Sequence, residues 1–221
     1  MGARTLHRSS QRASGFRVRT LATALGHRVE LRRLRRQLPV REIAWRTPWL
    51  APMQLREEFD QLLALAAGAR AVVEIGCYHG GTPFLLCDVA TDDAILITVD
   101  IEMSRAEMPL FRSFAQHEQR VYPIAGDAHD PASVAEAERL LEGRPVDLLL
   151  VDGDYTHDGV RRDYELWSPR VRAGGLIAVH RINPGLTADD VPQLWRELGG
   201  SREFVAPGRS EGGFRIGVLT L

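Results

Sequence analysis

Short runs of almost wholly apolar residues alternate with amphipathic stretches from Ala71 onward. The runs predict strands at 71–75, 94–99, 121–124, 146–151 and 175–180. Because these runs are apolar throughout rather than at every second position, they are typical of parallel strands buried on both faces. Helical stretches between them predict an α/β fold, a Rossmann-like doubly wound sheet.

Local capping signals mark where two of the intervening helices begin. Ser104 and Glu107 fit the spacing of a capping box. Asp130 directly precedes Pro131, which places a capping carboxylate before a proline at the first helical position. Both signals support the alternation of strands and helices.

The C-terminal part has a different pattern. A short helix is predicted at about 188–198, beginning near Thr187, and two extended runs follow at 202–206 and 214–220. The residues between those runs, 207–213, are rich in Gly and Pro and predict a loop. We therefore expect a mostly parallel sheet closed by a C-terminal antiparallel hairpin.

Two helices are predicted ahead of the sheet, at about 17–37 and 53–67, separated by Pro39 and by a stretch ending at Pro52. The first is amphipathic and cationic. It fits a solvated face or partly disordered arm, a helix that pairs with a partner subunit or lines a substrate entrance, or a contact with nucleic acid or an anionic membrane.

The charge distribution also separates the N-terminal part from the rest of the chain, between residues 46 and 47. All 28 basic residues are arginines, against 29 acids. Residues 1–46 hold twelve arginines and two acids, a net charge of +10, whereas residues 47–221 hold 16 arginines and 27 acids, a net charge of −11. We expect a basic, partly helical extension at 1–46 and one domain at 47–221, with its sheet core beginning near residue 70.

The missing lysine excludes several classes of enzyme. Walker A phosphate loops, Schiff-base enzymes, pyridoxal phosphate enzymes and lysine general bases all need an amine that this chain does not contain. Cys77 and Cys87 lie ten residues apart and form no C-x-x-C motif, so we expect neither a disulfide nor a structural zinc site.

No stretch of the chain approaches the roughly 18 uninterrupted apolar residues of a membrane span. The N-terminus also lacks the apolar core of a signal peptide. We therefore expect a cytoplasmic protein without a membrane partner. An organelle transit peptide stays open as an alternative, because the first residues are rich in arginine.

An acid and several glycines follow one another at the end of the first strand, in the segment from Glu74 to Gly81. Gly76 would permit a tight turn, and Gly80 and Gly81 would allow the backbone to approach a ligand closely. The spacing fits neither a dinucleotide fingerprint nor a phosphate loop. Because the carboxylate of Glu74 would repel an anion, a ligand with a cationic amine is expected.

Further acids stand at the ends of the next three strands. Asp100 ends the second strand, where an acid can accept hydrogen bonds from a ribose diol. Asp127 follows the third strand, and Asp152 and Asp154 follow the fourth. Carboxyl ends of strands meet at one edge, where open α/β sheets bind ligands, so these acids predict a shared site.

These segments together resemble the class I methyltransferases that use S-adenosylmethionine. The run from Asp152 to Asp163, its continuation through Trp167 and Pro169, and the closing run 213–219 resemble more narrowly one group of small-molecule O-methyltransferases. This is the cephalosporin hydroxylase-like and macrolide-sugar methyltransferase group. The resemblance covers about residues 70–221.

The resemblance implies S-adenosylmethionine as the cofactor and assigns residues to its parts. Its methionine part would be surrounded by Glu74, Gly76, Tyr78 and Gly80, its ribose held by Asp100, and its adenine placed at Asp127 and Ala128. A sulfonium beside the ring of Tyr78 would gain about 0.5–2 kcal/mol from the π face.

The reaction centre departs from the resemblance. Many relatives bind a divalent metal through the acid that ends the fourth strand and an acid or acid-amide pair after the fifth. Here the first position is Asp152, but the second pair is His180-Arg181, and a guanidinium does not ligate a metal. We therefore expect no metal. Arg181 would neutralise Asp152 or recognise an anionic substrate.

Without a metal, a base must take the proton of the acceptor hydroxyl. Because lysine is absent, histidine is the natural base near neutral pH. His180 is the first candidate, His157 the second, and Asp152 would orient the imidazole.

The sequence thus predicts an S-adenosylmethionine-dependent O-methyltransferase acting on a small hydroxylated molecule such as a natural product or a sugar. The N-terminal helices could join copies into a homo-oligomer. Two alternatives stay open: a catalytically silent protein that retains the cofactor pocket, and an RNA methyltransferase whose basic arm grips phosphates.

Overall fold

The computed structural model describes residues 20–183, 190–199, 202–204 and 215–221. The helices in these ranges are α1 (Leu21–Leu34), α2 (Val40–Arg46), α3 (Arg56–Ala66), α4 (Gly81–Val89), α5 (Met108–Arg112), α6 (Pro131–Leu141), α7 (His157–Trp167) and α8 (Val191–Glu197). The strands are β1 (Ala71–Ile75), β2 (Ile95–Asp100), β3 (Arg120–Ala125), β4 (Val146–Val151), β5 (Val171–His180), β6 (Arg202–Phe204) and β7 (Ile216–Thr220).

The strands form one mixed sheet in the order β3-β2-β1-β4-β5-β7-β6. Strands β1 to β5 are parallel, β7 runs antiparallel to β5, and β6 runs antiparallel to β7. The predicted doubly wound sheet with antiparallel C-terminal strands is therefore confirmed. The strand order reverses between β1 and β4, which is the position where such sheets place ligands.

Both faces of the sheet are buried, as the apolar runs predict. Neighbouring residues of one strand point to opposite faces, so Val72 joins the hydrophobic cluster on one side and Val73 the cluster on the other. Leu96 and Ile97 of β2 divide in the same way. This two-sided burial fixes the register of the central strands and hence the heights at which they end.

The predicted boundaries differ from the observed ones by a few residues at most elements. Strand β5 begins at Val171, four residues before the predicted start, and α3 begins at Arg56 rather than at residue 53. Within the predicted helix 17–37, the described part of the chain forms a helix over Leu21–Leu34. The predicted start near Thr187 and the predicted loop 207–213 lie outside the described residues.

The two capping predictions have different outcomes. Asp130 caps α6 as expected, since its side chain accepts a hydrogen bond from the backbone N–H of Ala132. At the other signal, the backbone N–H and the hydroxyl of Ser104 both donate to the carboxylate of Glu107, at 2.9 Å each. However, the helix there begins only at Met108, so these bonds stabilise the turn that precedes it.

Helix α2 was not predicted from the sequence and lies in the stretch between the two predicted N-terminal helices. Pro39 stands at its N-cap, and two of its residues, Ile43 and Ala44, are fully buried. Pro39 therefore begins a new helix rather than ending the ordered structure, a role that proline fills well at a helix start.

Helices α1 and α2 pack against the sheet domain. Leu31 of α1 belongs to the same hydrophobic cluster as the helices that cover the sheet. Arg35, just after α1, donates to the backbone carbonyl of Phe114 at 2.6 Å and of Ser113 at 3.0 Å, and its guanidinium lies 5.1 Å from the ring centre of Phe84. One side of the cationic helix is thus anchored, while Arg32, Arg33 and Arg36 are exposed.

None of the helices in the described ranges has the length and apolar character needed to cross a membrane.

Candidate active site

Three of the predicted site residues end neighbouring strands at the same height. In the register of the sheet, Ile75 lies opposite both Val99 and Val151, and Val151 lies opposite Val179. Asp100 follows Val99, Asp152 follows Val151, and His180 follows Val179. The sheet therefore brings them to one edge, as the strand ends predict.

The turn after β1 requires glycine at position 76. Gly76 has a φ of +78°, and its N–H donates to the carbonyl of Val99 at 2.8 Å. A Cβ there would lie 2.3 Å from the carbonyl oxygen of Asp152 and 2.8 Å from the Cα of Gly153. The two strand ends thus approach so closely that only hydrogen fits between them.

The next two glycines make close contacts within the protein. A Cβ on Gly80, whose φ is +88°, would lie 2.7 Å from the ring of Phe114 and 2.9 Å from that of Phe111. A Cβ on Gly81 would lie 2.1 Å from the carbonyl oxygen of Leu50. The sequence suggested close approach of a ligand at these positions, whereas the contacts that the structure describes are with the chain itself.

Asp100 organises the loop after β1 through three backbone bonds. Its Oδ2 accepts from the N–H groups of Cys77 at 2.9 Å and Tyr78 at 3.0 Å, and its Oδ1 accepts from the N–H of Glu102 at 2.8 Å. An ionised carboxylate has about four acceptor positions, so one remains available for a hydroxyl of a ligand.

Glu74 is a buried carboxylate without a hydrogen-bond partner among the described residues. Its side chain is inside the protein at 1% exposure, and both carboxylate oxygens lack a partner. Burial raises the pKa of Glu74 well above its usual range, and the charges of Asp152 and Asp100 raise it further. A cation placed beside Glu74 would reverse these effects and favour its ionised form.

Asp152 and His180 form a hydrogen-bonded pair. Nδ1 of His180 lies 2.8 Å from Oδ1 of Asp152. Because a carboxylate only accepts, Nδ1 carries the proton in this contact and Nε2 is the basic nitrogen of the neutral ring. Two further donors reach Asp152, namely the hydroxyl of Tyr155 to Oδ1 at 3.0 Å and Nε2 of Gln54 to Oδ2 at 2.9 Å.

A small cleft opens at this edge of the sheet. Its walls are formed by residues 51–54, by the β1–α4 turn and by Asp152. Tyr78, with a φ of +46°, lies in this wall at 38% exposure and packs against the ring of His79. His180 does not line the wall and is 2% exposed, and its Nδ1 contacts Asp152, which does line it.

His157, the second candidate base, lies elsewhere. Its Nε2 is 3.1 Å from a carboxylate oxygen of Glu197 on α8, which also pairs with Arg161. The hydrogen bond with Glu197 raises the pKa of His157. The structure therefore brings His180, and not His157, into contact with Asp152.

The two residues expected at the adenine lie beside the sheet edge, after β3. The carboxylate of Asp127 is half-exposed and accepts from the N–H of His129 at 2.8 Å. The carbonyl of Ala128 accepts from Nε1 of Trp167 at 3.1 Å, which fixes this loop to α7. Gly126 donates to the carbonyl of Asp100 at 3.2 Å and so links this loop to the end of β2.

The side chains around Asp152 determine whether a metal ion can bind there. In the described ranges, no group of three or more His, Cys, Asp or Glu side chains is arranged to hold a metal ion. The guanidinium of Arg181 lies 3.8 Å from the ring centre of Tyr155, in a cation–π contact. A fixed positive charge therefore stacks on the aromatic residue that hydrogen-bonds Asp152.

Sequence reasoning missed two residues of this site. Tyr155 was part of the segment that carried the resemblance, but no role was assigned to it. Gln54 lies 98 residues before Asp152 in the chain and falls within the helix predicted at about 53–67. No local sequence signal distinguishes it, because its partner is reached only through the fold.

Residues 73–182 match the family described as a methyltransferase domain. This range begins in β1 and ends two residues after β5. It contains the three strand-end residues that meet at the edge, together with Glu74.

One similar protein is a candidate O-methyltransferase from Mycobacterium marinum. It is 31% identical over 150 residues, which are 64% of this chain and 61% of that protein. The chain thus spans less than two thirds of the length of this relative.

Two solved structures share the fold. The O-methyltransferase from Bacillus cereus in complex with SAH superposes with a TM-score of 0.54 at 18% identity, covering 91% of this chain and 90% of that chain. The MycE methyltransferase from the mycinamycin biosynthetic pathway, in complex with Mg and SAH, has a TM-score of 0.52 at 18% identity, covering 80% and 53%.

Proposed function

We propose that this chain, whose residues 73–182 match a methyltransferase domain, is an S-adenosylmethionine-dependent O-methyltransferase. We further propose that it acts on a hydroxyl of a small molecule in the cytoplasm. The observation that carries the proposal is the buried carboxylate of Glu74, which lacks a partner beside a cleft lined by Asp152. Such a carboxylate favours a cationic ligand.

The residues present fit S-adenosylmethionine, which carries an ammonium group, a sulfonium and a ribose diol. Glu74 would attract the positive charge of the methionine part, and Asp100 has an acceptor position left for a ribose hydroxyl. Gly76 and Tyr78 line the cleft, and Gly80 stands at the N-cap of α4. Asp127 and Ala128 remain the proposed contacts of the adenine.

When bound, the cofactor supplies an electrophilic methyl group on sulfur. The acceptor oxygen would take this methyl group with the sulfur as leaving group, so the acceptor hydroxyl would have to give up its proton to a residue of the chain. We assign this proton to Nε2 of His180. Asp152 holds Nδ1 and stabilises the imidazolium that results.

A second assignment of the base has its own support. Asp152 lines the cleft, whereas His180 does not line it and is 2% exposed. In this alternative Asp152 takes the proton directly and His180 serves only to orient the carboxylate. Substitution of His180, treated in the Discussion, separates the two assignments.

A natural product is the proposed class of acceptor, since the MycE enzyme belongs to a biosynthetic pathway. The acceptor is to be sought by incubating the full chain with methyl-labelled S-adenosylmethionine and a panel of phenols, sugars and hydroxylated macrolides. Transfer of label to one of them supports the proposal. Cofactor binding without transfer to any member of a broad panel favours the catalytically silent alternative.

Removal of divalent ions is expected to leave this turnover in place. The reason is that the second metal position of relatives is occupied by His180 and by Arg181, whose charge repels a cation. Turnover is to be measured before and after exhaustive treatment with a chelator. Activity that disappears in the chelator and returns with Mg²⁺ would contradict the prediction.

For the N-terminal part we propose a basic extension at 1–46, followed by a methyltransferase domain at 47–221. Leu21, Leu25 and Val29 are exposed on α1 at a spacing of four residues, which supports pairing of this helix with a second copy of the chain.

A further inference from the structure

Gln54 connects the segment before α3 to the carboxylate at the end of β4. Its side chain is 6% exposed, and its Nε2 donates to Oδ2 of Asp152 at 2.9 Å. The hydroxyl of Thr82, in the first turn of α4, donates to Oε1 of Gln54 at 3.4 Å. The amide is therefore held at both ends, with its donor side towards the carboxylate.

From this contact we infer that Gln54 is a positioning residue, which fixes Asp152 in the orientation that holds His180. The inference rests on the proposed function in naming the Asp152–His180 pair as the centre of proton transfer. Tyr155 and His180 both donate to Oδ1, and Gln54 is the donor to Oδ2 in the described structure. Without Gln54 the carboxylate could rotate about its Cβ–Cγ bond.

A neutral amide suits this position better than an acid or an apolar side chain. A carboxylate at position 54 would repel Asp152 and stand close to Glu74, whose pKa the existing acids already raise. An apolar side chain would leave Oδ2 without its donor in a nearly buried site, and such unmet hydrogen bonds are unfavourable. An amide supplies a donor without adding charge.

The same segment also faces the ligand. Pro52 and Met53 line the cleft beside Gln54, and Met53 is exposed. A molecule that enters the cleft thus touches the backbone segment that carries the amide. Gln54 links the wall of the cleft to the geometry of the Asp152–His180 pair.

The test follows the Nδ1 proton of His180 by NMR in the full chain labelled with ¹⁵N-histidine. His180→Gln identifies the resonance by its disappearance. Gln54→Met keeps the volume and removes the donor, so opening of the pair becomes easier and the proton should exchange with water about tenfold faster or more. Gln54→Asn, which retains polarity but shortens the reach, should act in the same direction and covers the case that Gln54→Met does not fold.

The matched control is Gln61→Met. Gln61 is exposed on α3, and its amide donates only to the carbonyl of Glu57 in the described contacts, so the exchange rate of the His180 proton should equal that of the parent. An unchanged rate in folded Gln54→Met or Gln54→Asn would overturn the inference.

A parallel measurement keeps the inference separate from the proposed function. Binding of S-adenosylhomocysteine is determined by equilibrium dialysis for the parent chain and for Gln54→Met. If the parent chain does not bind, the proposed function fails, whereas the exchange rates still decide whether Gln54 fixes the pair. If both proteins bind equally and only the exchange rate rises, Gln54 positions the pair without holding the cofactor.

Discussion

Replacing His180 with alanine is expected to lower turnover by about 10²–10⁴-fold, the usual contribution of a general base. The affinity for S-adenosylhomocysteine should stay near that of the parent. The basis is the 2.8 Å contact between Nδ1 of His180 and Asp152, which leaves Nε2 as the basic nitrogen. The measurement is the rate of methyl transfer to the acceptor found in the panel, with cofactor affinity determined separately.

Two further variants make the result specific. His180→Gln retains an N–H donor in the buried site but has no basic nitrogen, so it should lose as much turnover as His180→Ala while remaining better folded. His157→Ala removes a surface partner of Glu197 and should retain turnover. An unchanged rate in His180→Ala, together with loss of turnover in Asp152→Asn, would instead assign the proton to Asp152.

Gly76→Ala is expected to destabilise the protein strongly. A Cβ there would lie 2.3 Å from the carbonyl oxygen of Asp152, and φ is +78°. Overpacking and left-handed strain together cost about 2–5 kcal/mol of the free energy of unfolding. Because the obstructed atom belongs to Asp152, any folded protein should also bind cofactor poorly. Denaturant unfolding and equilibrium dialysis measure the two effects.

Gly143 offers a matched control for the backbone strain. Its φ is also +78°, but a Cβ there would meet no atom within 4 Å. Gly143→Ala should therefore cost only about 1–2 kcal/mol, the share due to the left-handed conformation. If the two substitutions destabilise the protein equally, the close approach of β1 and β4 does not account for the requirement at position 76.

The fold could be predicted from the sequence because its central strands are buried on both faces. Their apolar runs are therefore continuous and easy to delimit, and the predicted range of β4 is the observed one. The sequence also predicted that the acids after these strands lie at one edge. This holds because the register of the strands places Asp100 and Asp152 at the same height. Helix α2 was missed because it is only seven residues long and follows a proline.

Contacts between distant segments could not be predicted. Gln54 reaches Asp152 across 98 residues, and the rings that crowd Gly80 come from Phe111 and Phe114, which carry no motif. His157 lies in the segment that carried the resemblance, but its ion pair with Glu197 on α8 depends on how two helices pack. Such contacts depend on tertiary packing, which short-range patterns do not specify.

The central claim is that the acidic cleft beside Glu74 binds S-adenosylmethionine. Equilibrium dialysis of the full chain against labelled S-adenosylmethionine tests it most directly. Asp100→Asn is the comparison, because this change halves the acceptor capacity offered to the ribose and loosens the loop after β1. We expect saturable binding at one site per chain, weakened in Asp100→Asn. No saturable binding by the folded parent chain would contradict it.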